Sequence, residues 1–144
     1  MPALSCFCAT LRRVSRALTQ LYEHELRPLG IRVTQLTILQ VLSRAGGLSQ
    51  RKLGEILSID STTLTRTLKI MIRQGWIAER RGQDRRERLL RLTKSGFTQL
   101  KSILPVWREI QARLRRQLGE QVWENLPQLT DQVTKVVAAQ GVWS

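Results

Sequence analysis

Four arginines crowd around one acidic turn in this sequence. Arg80 and Arg81 precede the stretch GQDRRERLLRLTK, Gly82–Lys94, and Arg85 and Arg86 stand inside it beside Asp84. A guanidinium group keeps its charge at any physiological pH and offers a planar fork of donors, which suits phosphate oxygens. A second set lies upstream: Thr62, Arg66, Lys69 and Arg73 are spaced 4, 3 and 4. On a helix that spacing makes one stripe, and nothing acidic falls on it. Hydroxyls and cations in a row are what is needed to touch base edges and phosphates in a major groove. Other chemistry is sparse. The chain has two cysteines, Cys6 and Cys8, and one histidine, His24. These make neither a disulfide framework nor a structural zinc site. There is no nucleophile–base constellation and no phosphate-cradling glycine loop, so nothing supports an enzyme, and no cofactor is expected.

The formal net charge is +13 over 144 residues. Residues 44–101 carry 14 basic and 5 acidic groups, whereas 1–43 carry 5 and 2, and 102–144 carry 5 and 4. The excess sits in the middle of the chain, as in a polyanion-binding module flanked by near-neutral helices. A solvated charged surface would explain the charge but not its position. No apolar run is long enough to span a membrane, and the first residues lack the basic-then-apolar order of a signal peptide. A cytoplasmic location is the expectation.

These residues need elements to hold them. Leu4, Phe7, Leu11, Val14, Leu18 and Leu21 repeat at 3 and 4, which predicts a long first helix ended by Pro28 and Gly30. A second helix fits residues 34–44, with Thr34 as N-cap and Gly46–Gly47 as its stop. SQRKLGEIL then predicts a short helix capped by Ser49, with Leu53, Ile56 and Leu57 facing inward. Ser58–Asp60 makes a turn. Ser61–Gln74 follows as a helix capped by Asp60 or Ser61 and closed by Gly75. Two short helices across a tight polar turn form a helix-turn-helix. In the second of them Leu64, Leu68, Met71 and Ile72 make the apolar face. Thr62 and Leu64 lie roughly 200° apart around the axis, so the basic stripe points away from the core.

Trp76–Arg81 and Arg88–Leu92 read as two strands joined by a turn at Gly82–Arg86. A hairpin directly after a recognition helix is placed as a wing, whose arginine tip can reach phosphates or a narrow minor groove. Two long helices follow. Phe97, Leu100, Leu104, Trp107, Ile110, Leu114 and Leu118 mark the first, with Pro105 inside it as an expected kink. Val122, Leu126, Leu129, Val133 and Val136 mark the second. The outer helices carry more apolar stripe than a small winged core needs, which points to a homodimer; wrapping of the core is the monomeric alternative. The tryptophans at 76, 107, 123 and 143 suit packing better than base stacking.

The chain resembles the MarR family of bacterial transcription regulators over nearly its whole length. The pattern D-x-R-x-x-x-[hydrophobic]-x-L-T-x-x-G appears as Asp84, Arg86, Leu90, Leu92, Thr93 and Gly96. The segment SQRKLGEILSIDSTTLTRTLKIMIRQGWIAER looks like the family's recognition unit. The Leu29–Gly30 pair before TQLTILQVL is similarly typical. The resemblance implies a mainly α fold with a small β-hairpin wing: a winged helix-turn-helix with N- and C-terminal dimerisation helices. Residues 1–30 and 97–140 would be those helices, and 31–96 the DNA-binding region of a single 1–144 chain. It implies a homodimer on a palindromic promoter site in double-stranded DNA, usually as a repressor, released by a small phenolic ligand or an oxidant. Ser61, Thr62, Thr63, Arg66, Lys69, Arg73, Asp84, Arg85 and Arg86 would form the DNA-binding surface, with Asp84 orienting Arg86 for the minor groove.

Cys6 and Cys8 admit three readings: small semi-buried residues without a redox role, a redox sensor, or part of a metal site. The OhrR-like subgroup of the family carries a reactive cysteine on the first helix, and Arg12 and Arg13 could lower a thiol pKa. Val33 and Leu36 stand where that subgroup has thiol-bonding tyrosines. His24 reads as a surface histidine. A non-specific architectural nucleic-acid-binding protein remains the alternative function, since it would share the charge.

Overall fold

The computed structural model describes Ala3 and residues 5–141. Leu4 of the first apolar stripe and Trp143 lie outside the described residues. The chain divides into two compact units, one reaching Val106 and the other beginning at Trp107.

In the first unit, α1 (Phe7–Leu26) runs into a 3₁₀ turn, Arg27–Leu29, that ends at Gly30 with φ +70°. The left-handed conformation costs glycine little, so the chain can reverse here. α2 spans Val33–Ala45. Its start corrects the expected Thr34 cap: the N-cap residue is Arg32. The Gln35 side chain accepts from the Arg32 amide at 3.0 Å, and Glu23 of α1 accepts from the Val33 amide at 2.9 Å. Two of the orphan donors of the helix start are thus met from a side chain one turn on and from another helix.

The strand β1 (Leu48–Ser49), unforeseen in the sequence, leads into α3 (Gln50–Leu57). Ser49 caps α3 by accepting from the Lys52 amide at 3.1 Å, as its hydroxyl and position predict. Leu53 is fully buried, but Ile56 is 49% exposed, against the inward facing expected of it. α4 (Ser61–Arg73), β2 (Ile77–Arg81) and β3 (Arg88–Leu92) complete the module. The sheet is antiparallel in the order β1–β3–β2. Leu48 lies opposite Leu90, and Ile77 opposite Leu92. α2 packs on β3, and α4 on β2. The core includes Leu36, Ile38, Leu39 and Leu42 of α2, Leu53 of α3, Leu64, Leu68 and Met71 of α4, and Ile77, Leu90 and Leu92 of the sheet, all buried. Each such side chain stabilises the fold by roughly 1.5–3 kcal/mol relative to exposure.

α5 spans Lys94–Leu118 and runs through Pro105. Thr93 is its cap: the hydroxyl accepts from the Gly96 amide at 3.0 Å and donates to the Gly75 carbonyl. The Thr93 amide donates to the Trp76 carbonyl at 3.0 Å. One residue therefore ties the end of α4, the start of β2 and the start of α5. Gly96 is required at that knot, because a Cβ there would lie 2.2 Å from the Trp76 carbonyl oxygen.

The second unit holds the end of α5 and α6 (Glu120–Ala138), joined at Gly119 with φ +87°. The Arg115 guanidinium donates to both oxygens of Glu120, at 2.6 and 2.7 Å. That contact raises the arginine pKa and lowers that of the carboxylate. Val122, Leu126, Leu129 and Val136 of α6 are exposed. Among the described residues no helix is long and apolar enough to cross a membrane.

Candidate nucleic-acid interface

The turn between α3 and α4 places the basic stripe. Ser58 takes φ +50°, a left-handed conformation uncommon for a residue with a Cβ. The Ile59 amide donates to the Gly54 carbonyl at 3.1 Å, closing α3. Asp60 then caps α4 by accepting from the Thr63 amide at 3.0 Å. Hydrogen bonding from Thr63, its side chain first and its amide next, holds the Asp60 carboxyl below the ordinary carboxylate range. From that fixed start the helical period does the rest. Leu64, Leu68 and Met71 turn inward, while Thr62, Arg66, Lys69 and Arg73 are all exposed along the opposite arc. Ser61 and Thr63 are exposed at its first turn.

Gln50, the first residue of α3, donates from Nε2 to the Thr65 hydroxyl at 3.0 Å and so fixes one flank of α4. Gln50, Thr65, Lys69, Arg73, Glu79 and Arg88 line a groove of about 300 Å³ over Leu68 and Ile72. Lys69 and Arg73 thus share a groove with the base of the wing. Arg88 and Gln50 were not among the residues expected from the sequence. Arg88 reads there simply as the first residue of a strand; its signal is the register, which sets it directly opposite Arg81 and diagonal to Glu79. Glu79 pairs with Arg88 at 3.6 Å, a partly exposed contact worth little in itself.

At the tip, the Gly82 amide donates to the Glu87 carbonyl at 2.8 Å, and the Glu87 amide to the Asp84 carbonyl at 2.9 Å. Asp84 Oδ1 accepts from the Arg86 backbone amide at 3.1 Å. The resemblance implied that Asp84 orients the arginine. It does so through the main chain, as an Asx turn, and not through an ion pair with the guanidinium. Among the described residues no ion pair holds Arg85 or Arg86, and both are exposed. The tip presents fixed backbone and free cations.

Cys6 and Cys8 are both exposed free thiols at the start of α1, remote in sequence from the stripe and the wing. Cys6 is the N-cap residue, and its carbonyl accepts from the Thr10 amide and hydroxyl. Their exposure departs from the semi-buried reading. His24 is exposed in the last turn of α1. Trp76 is buried behind the wing, while Trp107 and Trp123 are half-buried.

The chain matches the MarR family model over residues 31–87, the segment from the end of the first turn through the wing tip. It is 30% identical over 86 residues to the HTH-type transcriptional regulator YwoH of Bacillus subtilis. It is 39% identical over 90 residues to the organic hydroperoxide resistance transcriptional regulator of the same organism. These matches cover 60% and 62% of this chain, and span 63% and 61% of those two proteins. Among solved structures, the transcriptional regulator MosR of M. tuberculosis, in complex with DNA, superposes with a TM-score of 0.83 and 32% identity. That likeness covers 94% of this chain and 98% of the other. A helix-turn-helix, a three-stranded wing and flanking helices in this order, matched across almost the full length of a regulator of the same architecture, make the chain a member of the MarR family.

Proposed function

We propose that the protein is a transcriptional regulator that binds a palindromic promoter site in double-stranded DNA as a homodimer, acting as a repressor. One observation carries the reading: Thr62, Arg66, Lys69 and Arg73 stand exposed on one arc of α4, beside a wing tip where Arg85 and Arg86 have no acidic partner among the described residues. α4 would enter the major groove, with Ser61, Thr62, Thr63 and Arg66 toward base edges and Lys69 and Arg73 toward phosphates. Arg85 and Arg86, set by Asp84, would follow the backbone into the neighbouring minor groove. The structure of MosR with DNA supports the same use of this fold.

The homodimer rests on exposed apolar side chains: Phe7, Leu11 and Val14 on α1, and Val122, Leu126, Leu129 and Val136 on α6. Residues 1–30 and 97–140 would be the dimerisation helices, and 31–96 the reader. Two half-sites roughly one helical turn of DNA apart would then match the two-fold pair. Release by an oxidant at Cys6 or Cys8 is supported by their exposure and by the named role of the hydroperoxide-resistance relative. A small phenolic ligand is the other class of signal.

Competition at physiological salt is the test. The protein is expected to hold one fragment of its own upstream region against an excess of random duplex, and Lys69→Ala with Arg73→Ala is expected to lose it. Equal retention of any duplex would instead favour a non-specific architectural protein. Peroxide treatment is expected to weaken the wild type and to spare the Cys6→Ser, Cys8→Ser variant; unchanged thiols and affinity would remove the oxidant from the account.

A further inference from the structure

One apolar side chain sits on the outward arc of α4. Ile70 is 40% exposed, whereas the other large apolar residues of that helix turn inward or into the groove beside the wing. By the helical period it lies about 40° from Arg66 and 80° from Thr62 around the axis. It is therefore on the flank of the basic stripe away from the wing, since Thr65 and Ile72 occupy the wing side. Thr67 lies about 60° farther round, half-buried toward Met71. Its hydroxyl donates to the Thr63 carbonyl at 3.0 Å, so its proton is already committed within the helix. The flank thus offers an isoleucine side chain next to a guanidinium.

We infer that Ile70 reads the 5-methyl group of a thymine in the major groove, next to the base contacted by Arg66. The inference rests on the reading of α4 as a recognition helix. The chemistry is selective. Of the four bases only thymine presents a methyl group at the major-groove edge, and apolar side chains are its natural partners. Residues four apart on a helix carry their Cβ atoms about 5–6 Å from each other. Successive bases on one strand are about 3.4 Å apart. Ile70 therefore falls one to two base steps from the Arg66 contact. A helix lying in the groove with Thr62 and Arg66 toward the floor would bring this flank against one wall.

The experiment uses the full-length protein and the duplex fragment it retains best. Each thymine is replaced singly by deoxyuridine, which deletes only the methyl group, and the dissociation constant is measured. One thymine per half-site is expected to show a loss of about fourfold, the value of one buried methyl group. Ile70→Ala is expected to bind the unmodified fragment less tightly and to lose that sensitivity, so that thymine and uracil become equivalent there. Ile70 is exposed, so the variant should keep the wild-type melting curve; Ile70→Val provides a second, milder variant with intermediate sensitivity. A flat uracil scan of the wild type overturns the inference, as does a uracil effect that survives in Ile70→Ala. If no fragment is preferred over random duplex, the recognition-helix reading itself fails. That result is distinct from a preferred fragment that ignores uracil.

Discussion

Replacing Gly96 by alanine should cost far more than one methyl group suggests. A Cβ at residue 96 would stand 2.2 Å from the Trp76 carbonyl oxygen, 3.1 Å from its carbon and 3.3 Å from a Leu92 methyl. Ordinary contact would need more than 1 Å of added separation there, and the first obstacle is backbone. β2 cannot yield, because Trp76 and Ile77 are buried and Ile77 is paired with Leu92. The first turn of α5 would have to lift instead. Lifting breaks the Gly96–Thr93 and Thr93–Trp76 hydrogen bonds, each worth about 1 kcal/mol net. It also partly uncovers Trp76 and Leu92. Against this stands about 1 kcal/mol gained from the better helix propensity of alanine. The expected balance is a loss of about 2–4 kcal/mol. Gly54→Ala is the control. There the nearest atoms are a Leu64 methyl at 3.4 Å and the Ile59 carbonyl at 3.5 Å, ordinary contact distances. That variant should be neutral or gain up to about 1 kcal/mol in α3. Urea unfolding at one fixed protein concentration would separate the two. A Gly96→Ala midpoint equal to wild type, or a Gly54→Ala loss as large as that of Gly96→Ala, would refute the close-approach reasoning.

Three further outcomes follow from the wing and the cap of α4. Arg86→Ala should lower DNA affinity and reduce the slope of log K against log salt by about 1, read by binding titrations at several salt concentrations, because one phosphate-facing charge is lost. Asp84→Asn should keep affinity, since its carbonyl can still accept from the Arg86 amide, whereas Asp84→Ala should weaken it several-fold; equal behaviour of the two would show that charge, not the turn, is what matters. Asp60 should contribute to acid sensitivity. Its folded pKa is lowered by Thr63, so its stabilisation is complete above the unfolded pKa and fades as pH falls through the folded value. Thermal melts of Asp60→Asn from neutral pH down through the carboxylate range should show a smaller decline than wild type.

Much of the reader was legible because it is built from local rules. Asp60 and Ser49 cap helices for the reason any short acceptor does, and the 4, 3, 4 spacing of Thr62, Arg66, Lys69 and Arg73 can lie only on one arc once α4 forms. What was not legible depends on partners distant in the chain. β1 is two residues long, and Leu48 belongs to a strand only because Leu90 lies opposite. Thr34 is a reasonable cap by type, yet the start of α2 is set by Glu23 of another helix and by Gln35. Ile56 fits the apolar period, but α3 ends at Leu57 and buries Leu53, leaving Ile56 outside. Arg88 looked like an ordinary strand residue until register placed it in the groove with Lys69 and Arg73. Asp84 was legible as the residue that sets Arg86; the geometry adds the means, an Asx turn onto the Arg86 amide.

The motif from Asp84 to Gly96 therefore divides into two jobs with opposite energetics. Its second half is anchorage. Leu90 and Leu92 are buried, Thr93 links three elements, and Gly96 allows α5 to pass the Trp76 carbonyl. Its first half is left electrostatically unsatisfied. Arg81 faces Arg88 directly across the strands, a like-charge pairing that destabilises a sheet, and Glu79 answers only one of them, at 3.6 Å. Arg85 and Arg86 stand at the tip with no acidic partner among the described residues. A hairpin with that charge pattern would fray if its base were weak. Because the base is fixed to the core by Thr93 and Gly96, repulsion cannot be relieved by unfolding the wing at small cost. On the proposed function the relief is duplex DNA, and the anchored base keeps Arg88 in the groove with Lys69 and Arg73.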